Sequence, residues 1–477
     1  MQISRYQSIF IIFLSAIFVF FSSHMLIEDK GWIIFFPLAM YFLFSLFEIK
    51  KILWIIVFLS PLSVPINELG FFFDGINFTF PTEILLFGLL FILIIQIFLF
   101  PNRFKNIFNH KITFFLILYL LWMLVTCITS TSPIVSLKLF LTRLWFIIPF
   151  YFFGIIIFQK KDNIFKFILV YTIPLCVVVI YTLTQQSGDF FDSKLANGAV
   201  YPFFNDHTSY GAILAFFIPS IFIFMTNRKI AKKYDIILIV IFIILLVGLF
   251  FSYTRAAWLS FIIALFFGLF IKWRLNFKHF ISLSILFLGL VYVFQDKLIS
   301  SEESSNSFLT HFQSSSNIST DASNMERINR WNCAIKMFNE KPIYGFGPGT
   351  YQFEYSSFQD PDDKTIISTK FGDGGNAHSE YLSALSETGI FGLITFLMLI
   401  GIVFFKGIDL YYNLECSESR VYVLCSLVAL MTYFIHAFFN NFLDIDKVSI
   451  ALWSYIAIIV SVDLSYKKKA DLNIDSF

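Results

Sequence analysis

A histidine and a carboxylate stand close together where a polar loop runs into a strongly apolar stretch. His378 lies in the loop 376–380, and Glu387 lies about two helical turns beyond that loop. Histidine exchanges protons near neutral pH because its unperturbed pKa is about 6.5. A carboxylate inside an apolar segment is costly to bury, so it is a candidate functional residue. The pair predicts acid–base chemistry, although a loop-ending histidine and a carboxylate satisfied by a neighbouring helix would have the same spacing.

Two glycines extend this pattern along the same apolar stretch. With about 100° of rotation per residue, His378, Gly389 and Gly392 fall on one stripe of a helix, and Glu387 falls on another. Glycines on one stripe let a second helix or a lipid tail approach closely. We therefore expect Gly389 and Gly392 to support the site by such an approach.

Other charged residues stand beside apolar segments elsewhere in the chain. Arg143 lies within such a segment, Arg255 lies in a tight reversal at 252–258, and Asp206 ends a connection. Taken singly, each arginine is explained by a side chain that snorkels to lipid headgroups. Taken together with His378 and Glu387 at one membrane face, these residues predict a shared polar cavity.

The composition fixes the class of the chain. Of its 477 residues, 58% are hydrophobic, 14% are charged and 67 are Phe, which is more apolar surface than a soluble domain can bury. Apolar runs of about 20 residues fit membrane helices and not the alternating strands of a barrel. The sequence predicts an all-α polytopic membrane protein. A net charge of +2 gives no indication of nucleic acid, and the five cysteines show neither metal nor disulfide spacing.

Fourteen apolar segments predict membrane spans. They lie at about 7–26, 31–47, 52–66, 82–100, 112–130, 139–158, 164–184, 207–226, 235–252, 256–271, 279–295, 380–405, 420–438 and 448–465. The predicted organisation is an N-terminal bundle of about eleven spans (1–295), a long loop (296–379), three C-terminal spans (380–466) and a tail (467–477). The first segment is followed by no small-residue cleavage site, so we interpret it as a retained helix.

Loop charges predict the orientation of the chain. Lys and Arg concentrate in alternate connections, beginning with the N-terminal segment and ending with 467–469. By the positive-inside rule, both termini face the cytoplasm and the loop 296–379 lies outside.

The long loop contains one predicted helix. Ser323 and Glu326 have capping-box spacing, and apolar residues at helical spacing follow as far as Pro342, which predicts an amphipathic helix at about 325–340. We expect it to lie on the outer membrane face or to cap the bundle, with Arg330 projecting away from the apolar stripe and Arg327 beside it. A glycine-rich run at 345–349 follows; its amides could approach an anion, but a plain turn is the favoured interpretation.

Several motifs resemble those of one known family. His378-Ser379, followed by Gly389 and Gly392, resembles the signature of bacterial O-antigen ligases. The turn at Arg255, the run from Arg327 to Gly349 and Asn205-Asp206 resemble features of the wider O-antigen ligase and polymerase superfamily. The resemblance covers about 200–400. Twelve spans are typical of those ligases, so the fourteen counted here depart from the family.

The resemblance implies a metal-independent, inverting glycosyltransferase of the GT-C type that needs no cofactor. Its donor would be a glycan on undecaprenyl diphosphate. Its acceptor would be a hydroxyl of lipid A–core, of a growing glycan or of another molecule, and the reaction would take place among membrane lipids at the periplasmic face of a bacterial inner membrane.

The reaction that the resemblance implies has two physical needs, from which we assign hypothetical roles to the candidate residues. Arginines would stabilise the departing diphosphate, because their planar fork binds phosphate oxygens and stays charged. Arg255 comes first, and the supporting arginines are Arg143, Arg327 and Arg330. His378 would take the proton of the acceptor hydroxyl. Either Asp206 or Glu387 could orient its imidazole, and the sequence does not choose between them.

Three functions remain open at this point. The motifs do not separate a ligase from a polysaccharide polymerase, and a related branch glycosylates protein Ser or Thr. A transporter of lipid-linked glycans is the alternative outside the enzymes. Charges that collect near one leaflet favour the enzyme, because a transporter needs polar groups at mid-depth in several helices.

Overall fold

The computed structural model describes residues 49–69, 79–188, 190–227, 234–274, 322–360 and 375–474, and this part of the chain is almost entirely helical. The main helices of the bundle are α1 (49–59), α2 (Thr82–Leu99), α4 (Lys111–Ile128), α5 (Pro133–Phe158), α6 (Asp162–Gly188), α8 (His207–Thr226), α9 (Asp235–Phe251), α10 (Arg255–Lys272), α13 (Glu380–Asn413), α14 (Ser417–His436) and α15 (Asp446–Ile474). The remaining helices are α3 (Pro101–Phe108), α7 (Ala196–Ala199), α11 (Ala322–Glu340) and α12 (Tyr351–Glu354). The strands Val64–Pro65 (β1) and Thr79–Phe80 (β2) pair antiparallel.

Nine helices in the described ranges are long and apolar enough to cross a membrane, and α9 is a shorter apolar helix. Such helices form because a lipid environment leaves the backbone no partner outside its own ladder. This finding confirms the predicted all-α polytopic class. The predicted spans 7–26, 31–47 and 279–295 lie outside the described residues.

The predicted span 52–66 is not one continuous helix. Helix α1 ends at Leu59, a 3₁₀ turn follows at Ser60–Leu62, and β1 begins at Val64. Pro61 and Pro65 explain the interruption, since proline has no backbone N–H to continue a helical ladder.

Helix α13 is broken near its start, which corrects the predicted stripe of glycines. His378 precedes the helix, and Gly389 has non-helical dihedrals (φ 68°, ψ −171°). The glycine-rich run inserts at this kink: the Phe346 and Gly347 amides donate to the carbonyls of Ser386 and Glu387. The Ile390 amide in turn donates to the Pro342 carbonyl at 2.9 Å. Gly389 therefore admits a loop of the chain itself, whereas Gly392 faces the side chains of Thr388 and of Trp122 in α4.

Helix α11 packs on the rest of the chain by a face other than its most apolar stripe. Cys333, Ala334 and Met337 are buried, as is Arg330, whereas Ile335 of the predicted stripe is 44% exposed. The helix extends from Ala322 to Glu340, close to the predicted bounds. Its buried face contacts the start of α13 and thereby brings α11 next to His378.

A buried polar cluster fastens the start of α15 to the N-terminal part of the bundle. The Asp446 carboxylate accepts hydrogen bonds from Ser63 Oγ (2.6 Å) and Thr82 Oγ1 (2.5 Å). The Lys447 ammonium donates to Ser63 Oγ at 2.6 Å and lies 3.4 Å from Asp446 Oδ1. Because these groups are almost completely buried, the cluster fixes how the first and last described helices meet.

Candidate active site

The loop before α13 holds His378 in an unusual conformation. Its φ is +48°, in the left-handed region, and its amide donates to Asn376 Oδ1 at 3.0 Å. Its carbonyl accepts a hydrogen bond from Trp331 Nε1 of α11 at 3.3 Å. Burial first, and then the charges of Arg330 and Arg327, together lower the pKa of His378 to about 4. The imidazole is therefore neutral at pH 7 and has a nitrogen that can accept a proton.

An amide connects His378 to a second histidine. The side chain of Asn440 hydrogen-bonds to His378, and its Nδ2 lies 3.1 Å from Nε2 of His436, at the end of α14. With Nδ2 donating to His436, the Oδ1 atom of Asn440 is left to accept from the N–H of His378. This arrangement orients the His378 ring and selects its tautomer. Asn440 therefore has the orienting role that was considered for Asp206 or Glu387.

The positive charge of Arg327 acts on all three histidines of this region. It acts electrostatically on His378, on His436 and on His207 at the start of α8. Arg255 also acts on His207. Arg327 and Arg255 thus belong to one group of charges with His378, here called the histidine–arginine cluster (His207, Arg255, Arg327, His378, His436 and Asn440).

The turn before α10 positions Arg255. Tyr253 has a positive φ of 52°, and Thr254 Oγ1 donates to the carbonyl of His207 at 2.8 Å. Because Arg255 is the first residue of α10, its guanidinium lies where the helix dipole already attracts anions. Asp206 lies at the edge of the cluster, where its Oδ1 caps α8 by accepting from the Ser209 amide.

Arg330 is engaged by protein groups. Its Nε donates to Glu326 Oε1 at 2.8 Å and its Nη1 donates to the Asn376 carbonyl at 3.1 Å. Its guanidinium also lies 4.9 Å from the ring centroid of Tyr355. Arg330 therefore ties α11 to the loop that carries His378, and it contributes positive charge to the site from a buried position.

Glu387 is held by the glycine-rich run. Its Oε1 accepts a hydrogen bond from the Tyr351 amide at 3.1 Å, and the Gly349 amide contributes a further bond. The Gly349 amide of this run does approach an acidic group, as its glycine allows, but that group is the Glu387 carboxyl of the same chain. The run is therefore more than a plain turn. Gly392 lies in α13, about one helical turn after Thr388, and packs against the Thr388 side chain.

Arg143 lies in a different environment from Arg255. Its Nε is 3.0 Å from Asp444 Oδ1, and its Nη2 is 4.0 Å from Glu380 Oε2. It lines a cavity of about 30 Å³ together with these two carboxylates and Glu387; the other lining residues are Tyr119, Met123, Leu139, Pro348, Ser383, Ala384, Thr388, Phe396 and Asn441. Neither His378 nor Arg255 is among the lining residues. We call this space the Arg143 cavity.

The structure thus divides the residues singled out in the sequence between two neighbouring sites. His378 and Glu380 are two residues apart, and one belongs to the histidine–arginine cluster while the other lines the Arg143 cavity. Sequence reasoning did not find Asn440, His436 or Asp444 as partners. The only signal was the polar content of 436–446, at the end of an otherwise apolar segment. In the described part of the chain, no group of three or more His, Cys, Asp or Glu side chains is arranged to hold a metal ion.

The helical bundle and these polar sites define the class of the molecule: a multi-pass membrane protein with ionisable side chains assembled at one end of its helices. Comparison with known families is more specific. Residues 240–397, about a third of the chain, match the family model described as O-antigen ligase. This match supports membership of the O-antigen ligase superfamily, which the motifs at His378 and Arg255 indicated. No curated protein matches the chain.

Proposed function

We propose that the protein transfers a glycan from undecaprenyl diphosphate to an acceptor hydroxyl at the periplasmic face of the bacterial inner membrane. The family match supports a ligase- or polymerase-type function in glycan assembly. The observation that supports the chemistry is Arg327, which acts on the neutral imidazole of His378 and also on His207 beside Arg255. A base and cations for a leaving diphosphate are therefore neighbours.

The reaction needs two kinds of help. In the proposed step, the acceptor hydroxyl attacks the anomeric carbon from the side opposite the diphosphate, and its proton passes to a ring nitrogen of His378. The bond from the anomeric carbon to the diphosphate oxygen breaks, and its electron pair stays on the diphosphate. Arg255 and Arg327 stabilise that charge, and such fixed donors each contribute roughly 2.7–4 kcal/mol to a transition state.

The function is tested by two substitutions with a matched control. We expect His378→Ala and Arg255→Ala each to lower glycan transfer by about 10²-fold or more, because one removes the proton acceptor and the other a leaving-group donor. Arg274→Ala changes an exposed arginine just beyond the other end of α10 and should leave transfer unchanged. Transfer from the lipid diphosphate is measured in membranes at matched expression, with and without EDTA.

Near wild-type turnover in either site variant would refute the assignment of that residue. A strong loss with EDTA would refute the metal-independent mechanism. The product decides between the two family functions: long lipid-linked chains indicate a polymerase, and glycan joined to lipid A–core indicates a ligase.

A further inference from the structure

The Arg143 cavity is small and polar. Its volume of about 30 Å³ accommodates one or two water-sized groups, which is too little for a diphosphate. The side chain of Asp444 is 39% exposed, so the cavity is reached from the end of the bundle where α14 and α15 are connected. The rings of Tyr119 and Phe396, 5.8 Å apart, provide an apolar wall of the kind that the carbon face of a sugar packs against.

Charge also argues against an anion in this cavity. Arg143 is paired with Asp444 and lies near Glu380, while Glu387 lines the same space. One cation therefore faces three acidic side chains, so a phosphate group there would compete with them for the guanidinium. A neutral ligand rich in hydroxyl groups has no such penalty.

Two polar atoms in the wall have neither a hydrogen-bond nor an ion-pair partner in the described part of the chain, so they favour a ligand with complementary atoms. Arg143 is 6% exposed, and its Nη1 has no hydrogen-bond acceptor in the described part of the chain. The buried Oδ1 atom of Asn441 has no donor there either. Hydroxyl groups both accept and donate, so a ligand rich in hydroxyl groups can satisfy both atoms.

We infer that the Arg143 cavity binds a hydroxyl of the acceptor glycan, and that the diphosphate of the donor is bound by the histidine–arginine cluster alone. The inference rests on the proposed function and assigns its two substrates to two neighbouring sites. It gives Arg143 a role in acceptor recognition in place of the diphosphate role that the sequence suggested.

The test compares Arg143→Lys and Asp444→Asn with the wild type in nanodiscs. Lysine retains the charge beside Asp444 but loses the guanidinium fork, and asparagine retains the shape of the exposed carboxylate, so both variants should fold. Initial rates at varied donor and acceptor concentrations give a KM for each substrate, with an oligosaccharide prepared from the host's own surface glycan as acceptor. Matched controls are Arg420→Lys and Asp409→Asn, near the far end of α13.

We expect the KM for the acceptor to rise about tenfold in both site variants, the effect of losing one hydrogen bond to a charged group. The KM for the donor should stay within about twofold of the wild type. Thermal stabilisation by inorganic pyrophosphate, a stand-in for the donor diphosphate, should also be retained in Arg143→Lys and lost in Arg255→Lys.

A higher donor KM, or loss of pyrophosphate stabilisation in Arg143→Lys, would show that Arg143 binds the diphosphate and would overturn the inference. Unchanged KM values would show that the cavity holds water only, and they would also overturn the inference. If the wild type transfers no glycan, the proposed function fails on its own. The inference is then judged by thermal stabilisation with the same oligosaccharide, which it requires in the wild type and not in the site variants.

Discussion

His378 combines a left-handed backbone with a buried ring, and both features depend on neighbours. A residue with a side chain adopts positive φ at a cost, so the surrounding structure must compensate. Asn376 and Trp331 bind its amide and carbonyl, and Asn440 binds its ring. The backbone thus aims the imidazole, and the amide of Asn440 sets its tautomer.

The lowered pKa of His378 predicts an unusual pH dependence. Its pKa of about 4 in the folded protein lies below the ordinary 6.5, so the neutral base persists through pH 5. We expect kcat/KM for the donor to be flat between pH 7 and 5. A bound diphosphate offsets the positive charges around the ring, so the acid limb of kcat should lie at higher pH than that of kcat/KM.

The lowered pKa of His378 also makes the stability of the folded protein depend on pH. Between pH 6.5 and 4 the unfolded chain binds a proton at this histidine and the folded chain does not, so stability falls as the pH falls through this window.

Arg327→Gln removes one of the positive charges that act on His378, so it should move the acid limb of kcat/KM to higher pH. A wild-type limb near pH 6.5 would contradict the prediction.

Asn440 predicts a positioning effect. We expect Asn440→Ala to lower kcat by about tenfold to a hundredfold, part of the 10²–10⁴ that general-base catalysis supplies, while the donor KM changes little. Asn440→Asp keeps an acceptor for the His378 N–H, so it should restore part of kcat and move the acid limb upward. Asn413→Ala, at the opposite end of α13, is the control. An equal loss in kcat for both Asn440 variants would argue against positioning.

At the residue scale, the sequence predicted the chemistry but not the pairings. His378 and the arginines stand out because ionisable side chains beside apolar segments are costly. Asn440 does not stand out, since a neutral amide at a helix end has many uses and its partner is far away in the chain. The choice of Asn440 over Asp206 and Glu387 depends on how the start of α13 meets the end of α14.

At the scale of elements, the central feature is the joint between the glycine-rich run and the kink of α13. The kink opens the helical ladder, and the amides of Phe346 and Gly347 bond to the carbonyls that are left. Helical periodicity placed α13 correctly and could not show the kink, because glycine is compatible with both a straight helix and a break.

Gly389 should therefore be sensitive to substitution. In Gly389→Ala, a methyl group would collide with the carbonyl of Ile343 at a positive φ, and we expect a loss of about 1–3 kcal/mol in stability. Gly401→Ala in the same helix is the matched control, because nothing lies near its added methyl group. Helix propensity predicts that the control is neutral or stabilised by up to about 1 kcal/mol.

Thermal unfolding of the two purified variants, with glycan transfer measured beside it, checks this prediction. Equal stabilities would mean that the kink is not required for the fold.

At the scale of the whole molecule, the buried cluster of Asp446 and Lys447 connects both ends of the described chain. Composition and hydropathy predicted a helical membrane bundle because those properties are summed over many residues. They could not predict that Ser63 and Thr82 meet Asp446, since each is an ordinary polar residue in its own segment. Which helices become neighbours is decided by such specific contacts.

Lys447→Met should destabilise the bundle strongly. It leaves the buried carboxylate of Asp446 without its cation, and breaking a buried pair costs about 3–5 kcal/mol. Lys467→Met removes a partner of Asp463 in the same helix, but Lys467 is 56% exposed, so its loss should cost at most about 1 kcal/mol. Thermal unfolding in detergent compares the two, and similar midpoints would contradict the proposed importance of the cluster.

The joint at α13 also bears on how the protein is made. Ribosomes release Pro342 and the glycine-rich run before they release α13, whose first turns need those amides. The run must therefore already be on the correct side of the membrane when the later helix inserts. Delayed placement of this segment would leave the nascent helix with open carbonyls, which makes the order of insertion part of the folding pathway.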